Sequence, residues 1–304
     1  MKVKFGIIKR RKWFFLLSGL ITVAGLVFFL LFGFNLGTDF LAGSRIQMQI
    51  NESVNVTKVQ DMFKAAGLPL GEGAVTSSTS GAGQSAIVRL SKTITPAEVA
   101  KVETLEKQYF PKSQGYSISS VDPVVATQTS KKAVWAVLLA SLFIVLYVAI
   151  RFEYRFAISG IVALLHDAFI VMSVFALLRL EVDLTFVAAV LTIVGYSIND
   201  TIVIFDRIRE NLKLSRPRTF EELEQLVDKS LWQTMTRSIN TVFTVLIAAV
   251  MLYFFGGQSI HNFTFALIVG LVSGVYSSIF IASPIWVAWK GRQMRRTNAP
   301  ESVA

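Results

Sequence analysis

Apolar residues along this chain gather into six long runs, and between the first and the second lies a stretch, 35–132, where apolar and polar positions alternate at short periods. The runs predict spanning helices over 13–34, 133–150, 156–178, 184–205, 239–257 and 262–289. The first holds no charge over 22 residues, enough to cross a hydrocarbon layer about 30 Å thick at about 1.5 Å per helical residue. Arg151 to Arg155 and Arg179 to Asp183 are too short for anything but tight turns. Segment 206–238 is charged, with Phe220, Leu223, Leu226 and Val227 on one side, and predicts an amphipathic surface segment between the fourth and fifth runs.

Within 35–132 the periodicity changes from element to element. Ser44 to Ile50 alternates Ile46, Met48 and Ile50 with polar neighbours, the pattern of a half-buried strand. Asn55 then caps a helix with Val56, Val59, Met62, Phe63 and Ala66 on one face, ended by Gly67 and Pro69. Two strands follow, at Ala74 to Thr79 and Ala86 to Leu90, joined through Ser80-Gly81-Ala82-Gly83. Thr95-Pro96-Ala97-Glu98 is a capping box that opens a helix with a buried stripe of Val99, Val102, Leu105 and Tyr109. A last strand runs from Tyr116 to Val121. The order β-α-β-β-α-β predicts an α+β ferredoxin-like domain.

Charge orients these pieces. Met1 to Lys12 carries six basic residues before the first run. That run is too long for a signal peptide and lacks an A-x-A-like site, so an uncleaved first helix is expected. With six crossings both termini share a side. That side then holds 19 of the 30 Lys and Arg residues; the other holds 11, ten of them in the large domain. By the positive-inside rule the N-terminus (1–12) and the tail (290–304) are cytoplasmic and 35–132 is extracytoplasmic. The net charge of +10 is therefore read as membrane flanks and not as a nucleic-acid face. The chain has no Cys, two unclustered His and no GxxxxGK[ST], so no metal, cofactor, disulfide, nucleotide hydrolysis or other enzyme chemistry is expected.

Chemistry is expected where polar groups enter the apolar runs. Asp200, beside Asn199, lies in the fourth run about 8 Å from its predicted end. An Asp at a helix centre costs about 3 kcal/mol in a membrane, so it usually faces a bundle interior, a cavity or a partner. Tyr196 and Ser197, one turn before it, share its seam. A titrating or ion-coupled role competes with simple hydration near the interface and with a static packing bond. Arg237 opens the fifth run, with Asn240, Thr241 and Thr244 on its face, and is the natural partner; the alternative is an ordinary basic helix end. Pairing would hold Asp200 ionised and protonation would release Arg237, a two-state element sensitive to protons. His166 and Asp167 lie inside the third run as a relay or as buried hydrogen-bonding groups. Gly270 and Gly274 form a GxxxG, a sign of close helix packing.

Five spaced segments carry a resemblance: FNLGTDFLAGSRI after the first run, LLHD in the third, GYSINDTIVIFDRIREN in the fourth, the Arg237 region, and the FGG at Gly256. Together they resemble the SecF family, the smaller membrane component of the bacterial SecDF protein-translocation complex. One departure stands out: the family usually reads G-I-D-F-x-G-G where this chain has Gly37-Thr38-Asp39-Phe40-Leu41-Ala42-Gly43, and the Ala argues against a positive φ there. The resemblance implies a partner, SecD, each chain supplying half of an RND-like twelve-helix unit in the inner membrane. It implies assistance to the SecYEG channel, with YidC as a neighbour and unfolded preprotein as substrate, driven by a proton or sodium gradient. The family's intramembrane acid and basic residues map onto Asp200 and Arg237, and His166 and Asp167 match a family motif. Rival readings are a non-coupled assembly subunit and half of an RND-type small-molecule exporter.

Overall fold

The computed structural model describes residues 5–71, 73–80 and 83–297. Residues 1–4 of the expected basic N-terminus, 81–82 of the strand connection and 298–304 of the expected tail lie outside the described residues. The elements run β1 (Asn35–Leu36), β2 (Gly43–Gln49), β3 (Val75–Ser80), β4 (Gly83–Leu90), β5 (Tyr116–Val121) and β6 (Glu181–Val182). The helices are α1 (Arg11–Phe32), α2 (Thr38–Leu41), α3 (Val56–Ala65), α4 (Pro96–Tyr109) and α5 (Pro123–Arg151), then α6 (Tyr154–Leu177), α7 (Leu184–Ser215), α8 (Phe220–Phe255), α9 (His261–Ser277) and α10 (Ser283–Thr297). A π-helical segment, Ser278–Ala282, joins α9 to α10, so the sixth span runs as one column from His261 to Met294. Among the described residues, six helices are long and apolar enough to cross a membrane.

The α/β domain has the expected element order. Its sheet is antiparallel with strand order β3-β4-β2-β5, and α3 and α4 pack against it around Ile46, Met48, Met62, Phe63, Val88 and Val102. Asn55 accepts a hydrogen bond from the Lys58 N–H, and Thr95 with Glu98 forms the predicted capping box. Two features were not predicted. The single turn α2 sits in the Gly37 to Gly43 segment, and β1 pairs in parallel with β6, tying the domain's entry to the α6–α7 connection. Contrary to expectation, Ala42 adopts φ 65°, ψ 173°, a region that costs a non-glycine residue about 1–3 kcal/mol. Gly43 next to it has φ 109°, and a Cβ there would sit 2.1 Å from the Leu90 carbonyl oxygen. The chain holds this corner because the β2–β4 ladder and α2 fix it from both sides.

In the bundle three helices run beyond the expected spans. α7 continues past 205 to Ser215, and α8 starts at Phe220, opened by the capping box of Thr219 with Glu222, well before the fifth span expected from 239. The expected surface segment 206–238 is thus two helix extensions packed as a hairpin. Leu223, Leu226, Val227 and Leu231 bury against Phe205 and Ile208, so their stripe serves the bundle's own core. Pro123 at the first position of α5, capped by Asp122, starts the helix of the second span directly at the end of β5, ten residues before the span expected from 133. Residues 290–297 of the expected tail are helical.

Candidate functional site

Two hydrophobic clusters fill the bundle. One, around Phe156, Phe205, Leu231 and Trp286, lies at the end that carries both termini; the other, around Phe175, Phe186, Ile193 and Leu267, lies nearer the α/β domain. Between them is a polar layer built on α6, α7 and α9. Its centre is Asp167, fully buried. Asp167 Oδ2 accepts hydrogen bonds from Ser197 Oγ at 2.6 Å and Ser277 Oγ at 2.7 Å, and Oδ1 accepts from Ser273 Oγ at 2.6 Å. His166 Nδ1 stands 3.4 Å from Oδ1. Three hydroxyl hydrogen bonds converge on one buried side chain and so clamp three helices together. The glycines of the GxxxG make this approach possible. A Cβ on Gly274 would lie 3.2 Å from Ser197 Cβ, and one on Gly270 would lie 2.3 Å from Ile193 Cδ1.

Ser197 faces Asp167, and Asp200, three residues on, turns toward α8 because each helical residue rotates by about 100°. Asp200 is 7% exposed, and its Oδ2 is buried without a hydrogen-bond partner. Ser238 lies beside it and Arg237 acts on it electrostatically, yet Ser238 Oγ is itself buried and unpartnered. The expected Asp200–Arg237 ion pair is not made among the described residues. Arg237 sits mid-helix and exposed, and it is Ser238, one residue on, that meets α7. The extension of α7 puts Asp200 about 22 Å from the end of its helix, beyond the end of the apolar run. Thr201, the next residue, joins Ser278 of the π-helical segment at 2.8 Å.

Tyr196, Asn199 and Asn240 are exposed, with Thr241 and Thr244 near them on α8. These residues form an exposed polar face on α7 and α8, the two helices that meet at Asp200 and Ser238. His166 points elsewhere: its ring is 6.2 Å from that of Tyr276, whose hydroxyl donates to the Phe14 carbonyl of α1 at 3.1 Å, and His166 Nε2 is unpartnered. Ser273, Ser277, Ser278 and Thr201 were missed from sequence. For the three serines the signal was hydroxyl residues at helical spacing inside the sixth run, alongside the glycines read only as packing; Thr201 follows Asp200 directly in the fourth.

A second constellation ties α7 to the α/β domain. Asp39 Oδ2 accepts the Leu184 N–H at the start of α7 at 3.0 Å, and the Asp183 side chain caps the same turn. Glu181, 6% exposed, lies 3.2 Å from Arg89 and 3.8 Å from Arg45, on β4 and β2.

A family model described as "Protein export membrane protein SecD/SecF, C-terminal" matches residues 101–292. The chain is 61% identical over 306 residues to protein translocase subunit SecF from Alicyclobacillus acidocaldarius, covering 100% of this chain and 99% of that one. It is 45% identical over 296 residues to protein translocase subunit SecDF from Bacillus subtilis, covering 97% of this chain and 40% of that one. Among solved structures it is similar to SecDF from Thermus thermophilus, described as a translocon-associated membrane protein. That match has a TM-score of 0.84 and 32% identity, over 96% of this chain and 40% of that one. A SecDF structure in a super-membrane-facing form matches at TM-score 0.68 and 31% identity, over the same shares of the two chains.

Proposed function

Because the chain belongs to the SecD/SecF family of protein-export membrane proteins, we propose that it is the SecF-type half of a SecD–SecF pair in the bacterial inner membrane. It is a multi-pass protein with a role in protein translocation. The pair supports export through the SecYEG channel, with unfolded preprotein handled by extracytoplasmic domains, and couples this to a proton or sodium gradient without catalysis of its own. Both termini are cytoplasmic, and the α/β domain is ferredoxin-like and extracytoplasmic.

The observation that carries this reading is Asp200. A carboxylate oxygen buried in a membrane helix with no hydrogen-bond partner is costly in the ionised form, and a proton or a cation relieves it. Asp167 differs in that both its oxygens already accept hydroxyl hydrogen bonds. The polar face of Tyr196, Asn199 and Asn240 beside Asp200 fits a second helical bundle, and the fused SecDF relatives carry such a half in one chain. Arg237 stands on that face, where a modest rotation of α8 brings it to Asp200 or to a partner's group. The route outward is α7 itself: its first turn is held by Asp39, and β6 pairs with β1 at the entry to the α/β domain. A shift of α7 on ion binding therefore reaches that domain directly.

The test is gradient-dependent export of a preprotein into inverted vesicles whose pair carries Asp200→Asn. The expected result is normal assembly with the partner and loss of the gradient-dependent part of export. Full activity in an assembled variant would falsify the coupling role, and loss of the complex itself would favour a purely structural subunit.

A further inference from the structure

At the end of the bundle that carries both termini, α1, α6 and α10 enclose a cavity of about 660 Å³. Phe15 and Ile285 form its apolar wall, and Tyr154, Arg155, Trp289 and Arg292 form its polar part. We propose that it binds the phosphate of an anionic glycerophospholipid, with Arg155 and Arg292 on the phosphate and an acyl chain along Phe15 and Ile285.

The cationic group is built into the wall. The Arg155 side chain is 11% exposed and is paired with Glu153 through Nη1, and its guanidinium lies 4.7 Å from the Tyr154 ring centroid. Its Nε is buried with no hydrogen-bond partner. A buried guanidinium N–H left without an acceptor is costly, and a phosphate oxygen is the acceptor whose geometry suits Arg. Glu153 also lies 3.7 Å from Lys290, while Arg292 makes no ion pair among the described residues. Two cations, Arg155 and Lys290, thus share one carboxylate and Arg292 has none, which leaves two positive charges for a ligand. The rim is aromatic and set: Tyr154 and Trp289 pack edge to face at 5.9 Å, the residue types that sit at the headgroup level of a bilayer.

Three features select a lipid over other sources of phosphate. The cavity opens at the basic end of a membrane bundle, where anionic headgroups concentrate. It joins a phosphate-binding part to an apolar wall that a free phosphate would leave unused. It also lies on α1, α6 and α10, whereas the polar face expected to meet a protein partner lies on α7 and α8. A choline headgroup would add a cation beside Arg292, so the preference is for net negative lipids such as phosphatidylglycerol.

The experiment is native mass spectrometry of the full chain from micelles doped with equal phosphatidylglycerol and phosphatidylcholine, with melting temperature followed on adding each lipid or inorganic phosphate. Phosphatidylglycerol should be retained in preference and should raise the melting temperature, with inorganic phosphate without effect. Arg155→Gln/Arg292→Gln should lower retention about tenfold, the effect of about 1.4 kcal/mol. Lys213→Gln, a loss of charge at the same end but outside the cavity, should not. Should the double variant fold poorly, Arg292→Gln alone, at an exposed site, still reports a loss. Equal retention of both lipids, an equal loss in Lys213→Gln, unchanged retention in the arginine variants, or equal stabilisation by inorganic phosphate would each overturn the assignment.

Discussion

At Asp167 three serine hydroxyls bond to one carboxylate, whereas at Asp200 the Oδ2 oxygen has no hydrogen-bond partner, although the Ser238 hydroxyl lies beside the carboxylate. The same residue type is a clamp in one place and an open acceptor in the other, and the difference lies in neighbours on other helices. If Asp167 is held as a clamp, its partners matter more than its charge. Ser273→Ala/Ser277→Ala strips two of three donors from a buried carboxyl group and should destabilise the chain by about 3 kcal/mol, read as a lower melting temperature in detergent. Adding Asp167→Ala removes the group that needed those donors and should recover part of the loss; no recovery would show that the serines act through packing alone. Both acids stood out in the sequence because a carboxylate in an apolar run is conspicuous. Their hydroxyl partners did not, since serine is common in spanning helices and Ser273 and Ser277 lie more than a hundred residues from Asp167.

At the scale of the element, periodicity placed helices well and their faces less well. The buried stripe of α4 was expected to run through Val99, Val102, Leu105 and Tyr109. In the structure Val102 joins the domain core and Val99, Leu105 and Tyr109 pack against it as expected, but the same helix also buries Glu106, which is 2% exposed with Oε1 unpartnered. Burial raises the Glu106 pKa above 4.5, an effect that the bond from Ser113 only partly offsets. The folded state therefore holds a proton that the unfolded chain has released. That stabilisation is complete below about pH 4.5 and is lost as pH rises through the folded value. Glu106→Gln should raise the stability of the α/β domain at neutral pH and leave it unchanged below about pH 4.5, read by hydrogen exchange of the β2–β4 core. An equal gain at both pH values would mean that the charge is not the cause. Likewise the stripe at Phe220 to Val227 was legible as apolar, but a stripe does not say whether it meets lipid or its own bundle; α7, folding back on α8, decided that.

Over the whole molecule, the α/β domain is joined to the bundle through the β1–β6 pair, Asp39 at the α7 N-terminus, and Glu181 between Arg45 and Arg89. These contacts span the corner where Ala42 and Gly43 hold positive φ. Glu181→Gln leaves two arginines without their carboxylate and should loosen this joint while each half stays folded. Deuterium exchange at Leu36 and Val182 should rise about tenfold or more, with the sheet core and α7 still protected. Unchanged exchange at the joint would show that the β1–β6 pair alone holds the domain.

The hydrophobic pattern by itself determined the six spans, the αβ order of the large domain and the presence of acids inside the membrane. Each follows from a local rule, the length of an apolar run or its period, that needs no distant partner. Only the tertiary structure decided that Asp167 is saturated and Asp200 is open, that Ser238 and not Arg237 meets Asp200, and that Glu181 and Asp39 join the two halves. Those outcomes depend on how helices rotate against one another, and a rotation of about 100° per residue exchanges one neighbour for the next without changing the pattern along the chain.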